Sequence, residues 1–518
     1  MTSRRTFLKT VGAVAAVSIA QKSMSKNPEY DLIIVGAGTA GMPCAIAAAE
    51  KGAKVLVVEK ADKVGGTLHA TGGHMSAGGT KHQAAHGIID NTEHHYKEVM
   101  DISKNTAVPY IVKMAVEEAP KTIDWLDSLG FEFAPESPRI VYGHVPYSVA
   151  RTQYGKDAGE SIFKAIKPLW DKYVASGNIT VLLNTELKEL VVEGGKVKGI
   201  KVVENGKVIG VIEGKNKETI KQLNTEKVVL TTGGYAANPK MFAEKHPTHP
   251  RLITTASSTS TGEGIQIAEK AGAKFWNADT HISSLGGIEF EPNSNHADFW
   301  QGWAMVFTTS YRPAREIYVN AEGQRFMDEA NADPDYRERA VAKQKDKKFW
   351  AIFDENGLTG KNEKTAAPMT IIPKWSVEQI KNYAKEGKFL WVADSIEELA
   401  KKTGLPVENL KATVSGFNGF VKTGIDAELG RTELKNAVET GPFYALLTYA
   451  TSLITFGGLA VNDKLQVIDK NQKPIIGLYA AGEIIGAGAT TGNAFCGGML
   501  VTPAISFGRI LGRTLGAG

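Results

Sequence analysis

The chain has 518 residues, 42% of them hydrophobic and 22% charged, a balance that excludes a disordered chain and a polytopic membrane protein and leaves room for two or three domains. Sixty Lys and Arg against 56 Asp and Glu give a net charge of +4, spread along the chain with no basic stripe of the kind that binds nucleic acid. Two cysteines, Cys44 and Cys496, exclude a disulfide framework and a cysteine-ligated iron–sulfur cluster, so redox chemistry requires another cofactor, while 54 glycines point to tight turns and close backbone approach to a ligand.

The first residues, Ser3-Arg4-Arg5-Thr6-Phe7-Leu8-Lys9, precede an apolar run over 11–20 that is too short to span a bilayer. Residues 1–20 resemble a bacterial twin-arginine signal peptide. That resemblance implies periplasmic location, passage through the twin-arginine export machinery as a folded protein with its prosthetic group loaded, and no stable membrane insertion.

Asp31-Leu32-Ile33-Ile34-Val35 is a continuous apolar run suited to a buried parallel strand. It leads into Gly36-Ala37-Gly38-Thr39-Ala40-Gly41, then an alanine-rich stretch that predicts a helix over 42–50, then a second strand over 54–58 ending at Glu59, 18 residues beyond Gly41. The order of strand, three glycines, helix, strand and acid is that of a dinucleotide-binding unit. Gly36 permits the tight turn, Gly38 lets backbone N–H groups reach a pyrophosphate, Gly41 allows the helix to pack closely, and Glu59 is placed to accept from both adenosine ribose hydroxyls.

The next segment separates FAD from NAD. Lys60 is followed by Gly65-Gly66-Thr67, Thr71-Gly72-Gly73 and Gly78-Gly79, a glycine density that a simple dehydrogenase crossover does not need. A strand over 227–230 runs into Thr231-Thr232-Gly233-Gly234, and Gly477-Leu478-Tyr479-Ala480-Ala481-Gly482-Glu483 supplies a further strand and an acid. Gly497-Gly498 opens a last helix with Leu500 and Val501 at its start, placed to aim a positive end at the flavin pyrimidine. Leu187 completes the residues expected to line the cofactor.

These motifs, together with Ser260-Thr261-Gly262-Glu263-Gly264, Ile317-Tyr318-Val319-Asn320, Gly323, Arg325-Phe326-Met327-Asp328-Glu329, Gly424, Asp426, Gly430-Arg431 and Pro442-Phe443-Tyr444, resemble the FAD-dependent family that joins fumarate reductase and succinate dehydrogenase flavoproteins with 3-ketosteroid dehydrogenases. The resemblance runs from about residue 30 to the end. It implies an α/β fold: a Rossmann-like FAD-binding domain over 28–275 and 441–518, interrupted by an α+β substrate-capping domain over 276–440. Covalent members of that family carry a His where Gly66 falls here, so the FAD is expected to be non-covalent.

The chain departs from the fumarate reductases where substrate is held. Their carboxylate-gripping Arg and His correspond to Phe495 and Ile454, and their proton-delivering Arg to Asp333, while Arg312 matches an upstream relay Arg. An apolar side chain cannot offset the desolvation of a carboxylate. The spacing of thirteen residues, 484–496, between Gly482-Glu483 and Gly497-Gly498 is closer to the ketosteroid dehydrogenases, whose catalytic tyrosine also falls at Asp333, with Tyr336 three residues on.

The chemistry implied is hydride transfer between flavin N5 and a carbon beside an activated position, with a protein acid or base on the neighbouring carbon and a donor that polarises the substrate carbonyl. Asp333, Tyr336, Arg337, Tyr147 and Tyr449 are the candidates for these roles, with Tyr142, Arg151 and Arg339 behind them. The expected substrate is an apolar ketone such as a 3-ketosteroid. The alternative is a periplasmic enoate reductase of the fumarate type fed by a separate cytochrome or quinol carrier, which a carboxylate pocket built on Arg312, Arg337 or Arg151 would favour. A flavoprotein retained as a binding factor is the non-enzymatic alternative.

Overall fold

The computed structural model describes residues 30–204, 220–248, 251, 253–278, 280–281, 284–298, 313–361, 366–372 and 375–516. The expected signal segment and Arg312 lie outside the described residues.

The first strand, β1 (Leu32–Val35), is buried on both faces. It leads through the glycine turn into α1 (Gly41–Ala49), all nine residues of which are buried, and β2 (Val55–Val58) follows. Pro43 sits in the first turn of α1, where its missing N–H breaks no helical bond. β1 pairs in parallel with β2 on one side and with β3 (Val228–Leu230) on the other, and β3 pairs in parallel with β4 (Pro474–Ala480). The strand Ile179–Leu182 extends the sheet beyond β2, and the antiparallel pair Thr185–Glu193 and Lys196–Glu204 extends it beyond β4. Continuous Val, Ile and Leu runs suit strands covered by helices on both sides, each buried side chain contributing about 1.5–3 kcal/mol.

The register places the site. Val35 lies opposite both Val58 and Leu230, and Leu230 lies opposite Ala480. Gly36, Glu59, Thr231 and the turn at 481–483 therefore leave the sheet side by side at its carboxyl edge. That edge, where strand order reverses about β1, is the crevice in which open α/β sheets hold ligands.

A second, antiparallel sheet runs in the order Ser284–Gly287, Phe443–Thr451, Lys348–Asp354, Ile317–Val319, with Leu390–Ala393 also paired to Phe443–Thr451. Along Lys348–Asp354, Phe349, Ala351 and Phe353 face one apolar cluster and Trp350 and Ile352 another, the two-residue alternation of a sheet covered on both faces. Phe443–Thr451, which the expected boundary at 440/441 assigns to the FAD-binding part, pairs within this second sheet.

Helix α2 (Pro334–Ala342) joins the two parts. Its Asp335 accepts from Lys104 Nζ at 2.6 Å and from Arg339, while Arg339 Nη2 donates to the Asn493 carbonyl at 2.5 Å. The last helix, α3 (Val501–Leu515), lies against α1. A Cβ on Gly508 would run into the Ala40 backbone, and one on Gly512 into the Cys44 carbonyl, so the contact requires glycine. Among the described residues no helix is long and apolar enough to cross a membrane.

Candidate active site

The nucleotide end is built from backbone. Gly36 has a positive φ of 102°, and a Cβ on Gly41 would strike the Gly36 carbonyl, so the turn closes only with glycine at both places. Gly38 and Gly66 face one another so closely that a Cβ on Gly66 would come within 3.0 Å of the Gly38 Cα. Above this cleft α1 begins at Ala40 with no side-chain cap, which leaves its first N–H groups and positive end for an anion. Thr231 Oγ1 donates to the Val35 and Gly36 carbonyls at 2.9 and 2.8 Å and locks the turn from behind.

Glu59 does more than was expected of it. Its Oε2 accepts from the Ala37 N–H at 2.7 Å and its Oε1 from the Ala61 N–H at 2.8 Å. The carboxylate thus holds the glycine turn in shape, and its remaining lone pairs are what a ribose would meet. Thr185 N–H donates to the Glu59 carbonyl at 2.9 Å, which brings the strand carrying Leu187 to this end. Lys60 Nζ turns aside to Thr261 Oγ1 at 2.5 Å and Glu263 at 3.2 Å.

Gly65 and Gly66, with φ of 110° and 51°, start a short helical turn over Gly66–His69. Thr67 Oγ1 lies 3.2 Å from Thr39 Oγ1. Both ring nitrogens of His69 are engaged, with Glu160 and with the Val64 carbonyl, each at 2.9 Å. Thr71 closes a tight turn onto the Gly73 N–H. Thr232 Oγ1 is buried without a hydrogen-bond partner beside Gly233, whose φ is 76°. Glycine-lined backbone, an uncapped helix start and an orphaned buried hydroxyl are what a large pyrophosphate-containing cofactor requires, and FAD fits them.

The far end of the cradle is formed by the turn into α3. Gly498 packs on Ser76, whose N–H donates to Thr502 Oγ1 at 2.9 Å, and α3 starts at Leu500 without a side-chain cap. Glu483 accepts from Thr455 N–H and Oγ1 at 2.9 and 3.1 Å, and burial pushes its carboxyl up to about 7 against that bonding.

Around this end stands a group of rings of which the sequence singled out Phe495 alone, as the replacement of an arginine. Phe495 is stacked on His144 with centroids 4.3 Å apart and planes 20° apart. His144 meets His74 edge-on at 6.2 Å, His74 meets Tyr154 at 4.4 Å, and the Arg139 guanidinium caps Tyr154 at 4.3 Å. Burial drives His144 down to about 3, and burial with the Arg139 charge drives His74 down to about 4, so both rings are neutral near pH 7. His74 abuts Gly72 and His144 abuts Gly497, which sets this uncharged wall between the two glycine turns.

The expected catalytic residues are not gathered in one place. Tyr147 is buried and donates to the Gly497 carbonyl at 2.8 Å, and burial raises its phenol far above the usual range. Tyr449 lies under the Arg251 guanidinium at 5.0 Å, in a small cluster with Ile253 and Ala297. Asp333 is exposed and caps α2 through the Asp335 N–H. Tyr336 is 37% exposed, its oxygen accepting from the Asp328 N–H at 3.3 Å.

Arg337 is different. It is 0% exposed, and Nε, Nη1 and Nη2 all lack a hydrogen-bond partner, while Tyr318, Glu338, Asp333 and Asp328 act on it only at longer range. Burial lowers its proton affinity. Arg151, equally buried, is satisfied by Asp90 at 2.9 Å and Glu98 at 2.5 Å, and so offers no free charge to a ligand. Cys44 and Cys496 are buried free thiols, both raised by burial.

The model of the FAD binding domain family matches residues 31–500. A probable fumarate reductase of Shewanella frigidimarina is 29% identical over 95% of this chain and 76% of its own. An NADH:fumarate oxidoreductase of Klebsiella pneumoniae is 30% identical over 98% of this chain, which spans half of that longer protein. A vinyl phenol reductase of Lactiplantibacillus plantarum is 28% identical over 91% of this chain and 93% of its own. Among solved structures, the open conformation of a flavocytochrome c3 fumarate reductase superposes with a TM-score of 0.71 at 28% identity, over 94% of this chain and 78% of that one. A 3-ketosteroid Δ1-dehydrogenase of Sterolibacterium denitrificans superposes at 0.73 over 94% and 99% of the two chains, but at 22% identity that likeness is one of fold. These relatives, named as fumarate and vinyl phenol reductases, fit the alternative of a fumarate-type reductase better than the expectation of a ketosteroid-type substrate.

Proposed function

The chain belongs to the FAD binding domain family, and from that premise we propose that this flavoprotein oxidoreductase is an enoate reductase that saturates the double bond of an α,β-unsaturated carboxylate. The observation that carries the reading is the guanidinium of Arg337, fully buried with no partner on any of its three nitrogens. An uncompensated buried cation is costly, and an anionic ligand in contact removes that cost. A planar guanidinium also suits a carboxylate in two-point contact.

Once reduced by the electron carrier, FAD held here would supply the hydride added to one carbon of the double bond, while the proton for the other carbon would come from the protein side. The protein's own residues do the rest. Gly36, Gly38, Ala40, Gly41, Glu59, Gly65, Gly66, Thr67, Thr71, Gly72, Gly73, Leu187, Thr232, Gly233, Glu483, Gly498, Leu500 and Val501 hold the cofactor without a covalent bond, with Lys60 at the rim. Arg337 orients the substrate carboxylate and stabilises the negative charge that builds on it as hydride arrives. Asp333, exposed at the start of the same helix, connects the site with solvent and replaces the proton delivered, with Tyr336 beside it. Tyr147 holds the Gly497 carbonyl, and Tyr449 lines the capping sheet.

Two further parts complete the reading. The resemblance of residues 1–20 to a twin-arginine signal supports a periplasmic enzyme loaded with FAD before export. Electrons then come from a separate carrier, for which relatives described as cytochrome fumarate reductases are the precedent.

The test is to reduce the FAD-loaded protein anaerobically and follow the return of the oxidised flavin band on adding enoates. Arg337→Met should keep its FAD, unfold at a higher temperature because a buried unpaired charge is gone, and lose turnover at least a hundredfold. Undiminished turnover in that variant would remove Arg337 from the site.

A further inference from the structure

We infer that the enoate bound by this site carries an aromatic ring on the carbon distal to its carboxylate, and that Phe495 and His144 are the residues that select it. The inference rests on the enoate reductase reading and narrows its substrate class to 3-arylacrylates.

Three observations carry it. First, Phe495 stands where the resembling fumarate reductases place a carboxylate-gripping arginine, so a second carboxylate at this position would meet a hydrocarbon face and lose its hydration uncompensated. Second, Phe495 is only half-buried and is held parallel to His144 at 4.3 Å, with His74 and Tyr154 continuing the wall edge-on. Rings buttressed in this way present a rigid flat π surface, and a substrate ring gains from offset or edge contact with such a surface beyond the area it buries. Third, His144 abuts Gly497 and His74 abuts Gly72. The wall thus rises between two glycine turns of the cofactor cradle itself.

Charge decides against the competing substrates. Both histidines are kept neutral by burial, and Arg139, whose guanidinium lies over Tyr154, is paired with Glu136 at 3.2 Å. Among the described residues Arg337 is the buried guanidinium with no hydrogen-bond partner on any of its three nitrogens, and one guanidinium balances one carboxylate. Fumarate needs two such contacts, and short enoates such as crotonate or acrylate would leave the wall bare.

The test uses the FAD-loaded protein and two readouts. Calorimetric titration of the oxidised protein should show cinnamate binding about tenfold more tightly than crotonate. The reduced protein should be reoxidised by cinnamate with a KM lower by a similar factor. Phe495→Leu, which keeps the apolar volume and removes the π face, should abolish that preference in both readouts, with FAD content and thermal unfolding verifying the fold. Phe495→Arg should move the preference towards fumarate. Equal or weaker binding of cinnamate with good turnover of crotonate or fumarate overturns the inference and leaves the enoate reductase reading standing. Failure of every enoate to reoxidise the protein overturns both.

Discussion

Glu483 and Arg337 show how one residue's surroundings set its role. Glu483 ends the fourth parallel strand, and its carboxyl is pushed up to about 7 from 4.5 by burial. A carboxyl raised in the folded state favours folding fully below 4.5, and that contribution is lost as pH rises towards 7. Glu483→Gln removes the titration. Its unfolding temperature should match the parent protein's at pH 4.5 and exceed it at pH 8, by a stability on the order of 2 kcal/mol; a constant gap across that range would refute the assignment. Arg337 shows the opposite arrangement, a permanent charge buried with no hydrogen-bond partner on its three nitrogens, and the proposed carboxylate ligand would supply one.

Helix α2 carries the candidates for anchoring substrate and moving protons, and its geometry separates them. Asp333 caps the helix through the Asp335 N–H at 3.0 Å, and an amide oxygen caps as well as a carboxylate. Asp333→Asn should therefore leave thermal stability within about 0.5 kcal/mol and lower turnover at least tenfold. Unchanged turnover would take Asp333 out of the proton path, and a large loss of stability would show that its role is structural. The helix is fixed against the cofactor part by Lys104–Asp335 at 2.6 Å and by Arg339 on the Asn493 carbonyl, so Arg337 is carried on a rigid element rather than on a loop. Arg337 was legible in the sequence as one candidate among several. Its burial was not, because it depends on the second sheet packing over the helix.

At the scale of the molecule, the two sheets divide the work. The parallel sheet brings Gly36, Glu59, Thr231 and Glu483 to one edge through register alone, and the antiparallel sheet packs against helix α2, which carries Arg337. Export of the whole as a folded unit follows from the reading of residues 1–20. Replacing Arg4→Lys and Arg5→Lys together should leave flavin-loaded protein in the cytoplasmic fraction, and undiminished periplasmic protein would discount the signal. The cofactor half of the site was legible in advance because each glycine there answers a local need: a positive φ, or backbone passing backbone. Phe495 was legible only as the loss of an arginine. Its new use required His144, which comes from a distant part of the chain.

The sequence by itself determined the parallel FAD-binding sheet and the glycine cradle, since both rest on short-range backbone geometry. Tertiary structure alone decided that Glu59 braces the turn it follows, that Arg151 is neutralised while Arg337 is not, and that Phe495, His144 and His74 form one neutral wall. These are matters of which side chains meet across the fold, and burial, pairing and stacking exist only once residues remote in sequence have been packed together.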